Sequence, residues 1–472
     1  MHVLRIALLT HSTRPRGDVV HTLALAEALS RTGQDVTVWS LAHGDDVGFF
    51  RPVDPAVRIR VVPVPDPDPG EEAGPRRQRS IALLSAAFAQ AQEQGESYHV
   101  VHAQDCLTAS AVPGRLRTVH RIERSADSVE LAAGQRRALV EPCAHICVSS
   151  SVALELQVET GRTAVVIPNG VDAERFAAAA GDDPVAIGNR QRWNDRFGDY
   201  VLAVGGIEPR KGTLDLVRAM ARVRRRRPGT KLVVAGGHTP LEHRDYRRAV
   251  DALALRLRVE PVVLGPVDHE ELPGLVAAAA VFAFPSVQAG FGLVALEALA
   301  AGVPVVVRDL PAFREVFTDA LKGDSRSGDA VGFADLGDGS FGDVAAGLAI
   351  QLTAALQGQR AALAGVGRRF AARHTWDDVA AAHLALYRQL ISEGRPIGTD
   401  LPAGAASPAG VASPVGAASA LGPAPAVGAV FPVGASGRAD ADGRVGTAGR
   451  AGADERTGTV RTVSSTVGLE LT

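Results

Sequence analysis

Phe284-Pro285-Ser286-Val287-Gln288-Ala289-Gly290-Phe291-Gly292-Leu293-Val294-Ala295-Leu296-Glu297-Ala298-Leu299-Ala300-Ala301-Gly302-Val303-Pro304-Val305-Val306 reads as strand end, loop, helix, glycine stop and strand. Gly290 and Gly292 let the backbone approach a ligand closely and leave amides exposed where the helix begins. Glu297 falls about one turn inside that helix. A carboxylate there suits hydroxyls, such as a ribose pair, better than phosphates; read as structure alone, it complements the helix dipole. A second stretch has the same form. Val204-Gly205-Gly206-Ile207-Glu208-Pro209-Arg210-Lys211-Gly212-Thr213 follows a strand at 201–204 and opens a helix, at the strand end where α/β folds bind ligands. Arg210 brings a bidentate phosphate donor, Lys211 a point charge and Thr213 a helix cap. Only three of the 50 basic residues are lysines, Lys211, Lys231 and Lys322. Against that background we read a phosphate site rather than a solvated basic pair.

Outward from these loops, the chain alternates strands and helices. Apolar runs at 4–9, 35–41, 57–62, 100–103, 116–120, 145–148 and 163–167 predict one set of strands. Runs at 201–204, 231–235, 262–264, 281–284 and 303–307 predict a second. Several are continuously apolar, as strands buried on both faces of a parallel sheet must be. Helical spacing covers 19–31 and 81–94, each followed by a glycine, then 213–227, 246–258, 270–279, 293–301 and a closing segment from 344 to 391. Residues 169–199 lack periodicity and read as a connection. The class is α/β, with two doubly wound domains. Between Thr10 and Arg16 no glycine precedes Gly17, so the nicotinamide-type G-x-G-x-x-G is missing after the first strand. From Pro396 the composition changes: Ala, Gly and Pro supply 31 of the 50 positions from 401 to 450, too little apolar bulk to offset chain entropy, and a disordered tail is expected.

Composition excludes several classes. The 472 residues carry a net charge of −2, which argues against a broadly basic nucleic-acid or membrane-surface protein. Three cysteines do not make a disulfide scaffold; Cys147 lies in an apolar run, so buried free thiols are preferred over a Cys143–Cys147 metal or redox pair. No apolar run is long enough to span a membrane, and 3–9 reads as a strand rather than a signal peptide. A cytoplasmic protein is expected. Two D-x-D triplets, Asp66-Pro67-Asp68 and Asp440-Ala441-Asp442, read as solvated loops. The arginine run at 222 and 224–227 reads as cations at a helix C-terminus, so membrane contact would be peripheral only.

The motif around Glu297 resembles the signature of retaining glycosyltransferases of family 4, glycosyl transferases group 1. Ile167-Pro168-Asn169-Gly170-Val171-Asp172 with Phe176 is similar to the family's interdomain motif, Leu264-Gly265-Pro266-Val267 to its base-binding loop, and Trp376 to Leu390 to its returning C-terminal helix. The resemblance covers roughly 1–392 and implies the GT-B fold, two Rossmann-like domains facing a cleft. The expected domains are 1–170 on the acceptor side, a connection at 171–199, a nucleotide-sugar domain at 200–375, a crossing helix at 376–392 and the tail at 396–472.

Carried over by position, the resemblance implies that Glu297 holds the donor ribose and that Lys211 and Arg210 hold the diphosphate. Phe291, Gly292, Leu293 and Val294 would present backbone groups to sugar and phosphates. Gly17, Gly206, Val267 and Asn169 complete the substrate-binding set, and His120 stands near the transferred sugar. His102 and Asp105 would line the acceptor side. Two positions depart from the family: Ala289 stands where a glutamate usually contacts the sugar, with Gln288 beside it, and Gly206 stands where an arginine is usual, with Arg210 within reach. The implied reaction moves a sugar from a nucleotide-diphosphate donor to a hydroxyl acceptor with retention, without metal, cofactor or nucleic acid. A nucleotide-sugar epimerase on the same fold and a non-catalytic nucleotide-sugar binder are the alternatives.

Overall fold

The computed structural model describes residues 2–43, 48–66, 71–123, 129–239, 243–321, 330–334, 343–358 and 360–399. The chain runs β1 (Arg5–Thr10), α1 (Gly17–Arg31), β2 (Asp35–His43), β3 (Arg58–Val64), α2 (Ala73–Glu93), β4 (Val100–Ala103), α3 (Cys106–Ala111), β5 (Leu116–Val119), α4 (Val129–Val140), β6 (Ala144–Cys147), α5 (Ser150–Thr160) and β7 (Val165–Val166). It continues through α6 (Ala173–Ala179), α7 (Pro184–Phe197), β8 (Tyr200–Gly205), α8 (Thr213–Arg226), β9 (Lys231–Gly236), α9 (Arg244–Leu257), β10 (Val262–Gly265), α10 (Leu272–Ala278) and β11 (Val281–Phe284). The last elements are α11 (Leu293–Ala300), β12 (Val305–Arg308), α12 (Pro311–Leu321), β13 (Val331–Ala334), α13 (Val344–Gln357), α14 (Arg360–Ala371) and α15 (Trp376–Ser392).

Two parallel sheets result, ordered β3-β2-β1-β4-β5-β6-β7 and β10-β9-β8-β11-β12-β13. The strand order reverses between β1 and β4 and between β8 and β11, so each lobe has its crevice at the carboxyl ends of those strands. Alternation along β1 explains the apolar runs: Ile6 and Leu8 pack toward α1 and α15, Ala7 and Leu9 toward the opposite core with Leu84 and Phe88 of α2. α15 buries Val379, Leu384 and Tyr387 in the first lobe, so the chain closes back on its own start.

Three stretches fold differently from the sequence reading. Residues 173–197 are two helices, and Phe176, Trp193 and Phe197 sink into the second lobe's core with Tyr200 and Leu275. The closing segment is three helices broken at Gly358 and at 372–375, and β13 completes the second sheet. Pro396–Thr399, assigned to the tail, are packed instead. Ile397 is fully buried, its carbonyl accepts from Val101 N at 2.6 Å, and Thr399 Oγ1 accepts from Tyr98 N at 2.8 Å. An apolar side chain at 397 and free polar atoms at the edge of β4 suffice to hold the chain there. The tail from 400 onward, Asp68 of the first D-x-D, and Lys322 lie outside the described residues.

Candidate active site

β8 ends at Gly205, and Pro209–Lys211 form one 3-10 turn before α8. Gly212 joins them at φ +67°, where a Cβ would stand 2.2 Å from the Pro285 carbonyl oxygen. Only glycine fits that approach. Val287 N donates to Arg210 O at 2.8 Å. Buried Arg308 donates to Pro285 O at 3.0 Å and to Asp215 Oδ2 at 2.6 Å. The two loops read from the sequence are therefore tied together at the β8/β11 reversal.

Lys211 lies in the hollow between them, lined by Gly205, Gly206, Thr213, Phe284 and Pro285. Its Nζ sits 5.1 Å from the Phe284 ring centroid. Among the described residues Nζ makes no hydrogen bond or ion pair, whereas Arg210 pairs with Glu208 Oε1 at 2.6 Å. Burial, and then Arg210, push the Lys211 ammonium down to about 7; Arg121 and Arg16 of the first lobe act in the same direction. Gly206 abuts the His238 carbonyl oxygen, where a Cβ would be 2.7 Å away, so the arginine usual in the family does not fit this loop without a shift.

α11 begins behind Gly292, which adopts φ +97°. The amides of Leu293 and Val294 have no carbonyl a turn before them and stay free for an anion. Phe291 turns its ring into the core near His374, at 6.2 Å between centroids. One turn further, burial raises the Glu297 carboxyl to about 7; Arg175 opposes the rise and Asp172 adds to it. Arg175 lies on α6, and its guanidinium also donates to the His269 carbonyl, in the loop after β10 that carries half-buried Val267. The charged groups that act most on Glu297 are Arg175 and Asp172, and those that act most on Lys211 are Arg210, Glu208, Arg121 and Arg16.

The first lobe faces these with β1, β4 and β5. Gly17 opens α1, exposed, with Asp18 next to it. His11 Nδ1 stands 3.4 Å from Asp18 and 3.1 Å from Asp105. Burial works against the His11 charge, but the carboxylates outweigh it and raise its pKa, while Asp105 falls to about 2 despite burial. Burial pushes His120 down to about 4, and its Nε2 has no partner. The neutral ring therefore keeps a free hydrogen-bonding atom.

Several expected roles change. His102 is fully buried, bonded to Tyr387 Oη and Thr118 Oγ1 at 2.8 Å each; it sits on the face of β4 that packs under α15, not on an acceptor surface. Asn169 is buried, and its Oδ1 pairs with His21 Nδ1 at 2.9 Å, which ties the interlobe connection to α1. Gln288 Nε2 donates to the Ile122 carbonyl across the cleft. Asp105 caps α3 through Thr108 N. Cys147 is buried with its thiol pushed up to about 12, as suits an inert core thiol. Arg222 of the arginine run pairs with Asp343. Sequence reasoning missed Arg175, Arg121 and Arg16, whose only signal was their place next to recognised motifs.

The family model described as glycosyl transferases group 1 matches residues 191–324, and that described as glycosyltransferase family 4 matches residues 15–175. A D-inositol 3-phosphate glycosyltransferase of Xylanimonas cellulosilytica is 28% identical over 82% of this chain and 96% of its own. Among solved structures, the sucrose-phosphate synthase of Thermosynechococcus elongatus aligns with a TM-score of 0.63 at 22% identity, covering 83% of this chain and 100% of that one. Anabaena Alr3699/HepE in complex with UDP-glucose aligns at 0.58 and 18% identity, covering 83% and 100%. The two matched segments carry the two crevices described above, and the chain is a group 1, family 4 glycosyltransferase with the GT-B fold.

Proposed function

We propose that the protein transfers a hexosyl group from a nucleotide-diphosphate sugar to a hydroxyl acceptor, with retention of anomeric configuration and without a metal ion, in the cytoplasm. The observation that carries this reading is Lys211: a cation half-buried against Phe284 in the hollow at the end of β8, with no hydrogen bond or ion pair among the described residues. A buried, unpaired ammonium is costly, and an anionic ligand relieves that cost. Lys211, Arg210 and the α11 amides then carry the charge that grows on the departing diphosphate, the task a metal ion performs elsewhere. Glu297 accepts from the ribose hydroxyls at the other end, and Val267 borders the base. Neutral His120 offers Nε2 to a hydroxyl of the sugar being transferred. Gly17 lies where α1 meets the donor phosphate. Retention rests on the resemblance to family 4 alone. The D-inositol 3-phosphate glycosyltransferase relative makes a phosphorylated polyol a first acceptor to try.

The experiment is a thermal-shift panel of UDP-, GDP- and ADP-sugars, followed by product analysis with polyol acceptors. Stabilisation by one donor and its consumption only with acceptor supports transfer. A new nucleotide sugar formed without acceptor supports an epimerase, and stabilisation without turnover supports a binding protein.

A further inference from the structure

α5 starts in the first lobe directly behind β6, and its cap is unusual. Ser149 Oγ accepts from Val152 N at 3.3 Å, but the first two amides of the helix are satisfied from the other lobe. Ser150 N donates to Glu315 Oε1 at 2.6 Å and Ser151 N to Glu315 Oε2 at 2.9 Å. Glu315 belongs to α12. Both its oxygens are thus spent on a helix N-terminus across the cleft, where negative charge is favoured.

α12 also touches the donor loop. Phe313 and Phe317, one residue pair on its buried side, pack against Gly292, where an added Cβ would meet them at 3.2 and 3.3 Å. Two further contacts join the lobes: Gln288 to the Ile122 carbonyl, and Gly290 to the His120 carbonyl, so close that a Cβ on Gly290 would lie 1.8 Å from the oxygen. The closed cleft therefore has a charged clasp on one side and a glycine-dependent contact at His120 on the other. We propose that Glu315 is the latch of lobe closure, a positioning residue that holds His120 against the donor loop while α11 binds phosphate. Its consequence for turnover rests on the transferase reading above; closure itself does not.

The test is amide hydrogen exchange on the full chain, comparing Glu315→Ala and Glu315→Gln with Ser149→Ala and Gly290→Ala. Ser149→Ala removes a cap of α5 within one lobe. Gly290→Ala blocks the cleft contact by steric overlap and marks the unlatched pattern. The latch predicts that Glu315→Ala speeds exchange about fivefold at 149–156 and also at 119–123 and 286–292, segments it does not touch, with Glu315→Gln in between. Ser149→Ala speeds exchange at 149–156 alone. In turnover, Glu315→Ala lowers kcat/KM for the donor about fivefold while Ser149→Ala does not. Exchange changes confined to 149–156 in Glu315→Ala, or a Gly290→Ala pattern identical to wild type, overturn the latch. An inactive wild type overturns the transferase reading instead and leaves the exchange result to decide the latch.

Discussion

Donor binding should move protons in opposite directions at two pH values. Lys211 titrates at about 7 in the free site, so at pH 8 about one-tenth of it is charged. A diphosphate beside it restores the ordinary lysine range, and Lys211 then takes up about 0.9 proton at pH 8, offset only by about 0.1 released at Glu297. Glu297 also titrates at about 7, held up by burial. Hydrogen bonds from ribose hydroxyls favour its ionised form, so at pH 6 binding releases about 0.9 proton from the carboxyl, offset only by about 0.1 taken up at Lys211. Calorimetric titration with a stabilising nucleotide sugar, in two buffers of different ionisation enthalpy, reads both numbers. Lys211→Ala should abolish the uptake at pH 8 and keep the release at pH 6; Glu297→Gln should do the reverse. Binding whose heat is independent of buffer at pH 8, or uptake that survives in Lys211→Ala, refutes the placement of the diphosphate.

Lys211→Ala should lower kcat/KM by about 10- to 150-fold, the worth of a charged hydrogen bond of about 1.5–3 kcal/mol, in a steady-state transfer assay. Asn169→Ala leaves the buried His21 Nδ1 unpaired and should destabilise the chain by about 1–3 kcal/mol in denaturant unfolding, with the apolar core around it unchanged. Acidification should cost stability between pH 6.5 and 4. His120, His145, His269 and His383 are each held down to about 4 by burial, so the unfolded chain binds more protons in that window. Glu297 works in the other direction, stabilising below 4.5 and losing that contribution as pH rises through 7, and one carboxyl does not cancel four imidazoles. Urea midpoints measured from pH 7 to 4 should fall steadily. Ala289→Glu should tighten donor binding by calorimetry; weaker binding would contradict the alignment of that loop with the family.

The strands were legible because strands buried on both faces leave unbroken apolar runs, and the two donor loops because glycine and charge are concentrated there. Helices α6 and α7 were not, since Phe176, Trp193 and Phe197 are their only large buried side chains and the apolar Val185 and Ile187 face outward, which blurs the helical period. β13 is four residues with a glycine inside, below what periodicity can register. His102 shows the limit for sites: on a strand buried on both faces, the sequence does not say which layer a polar side chain enters, and here Tyr387 arrives from 285 residues away to receive it. Gly290 reads in the sequence as a close approach to a ligand, whereas in the structure its close neighbour is the His120 carbonyl of the facing lobe. Glu315, Arg175 and Gln288 act across elements distant in the chain, and nothing local marks them.

The most direct test is a crystal structure with an intact nucleotide sugar soaked or grown in. The diphosphate should lie between Lys211, Arg210 and the first amides of α11, with the ribose on Glu297 and the sugar beneath His120. A nucleotide seated in the first lobe, or a diphosphate out of reach of Lys211, would contradict that placement.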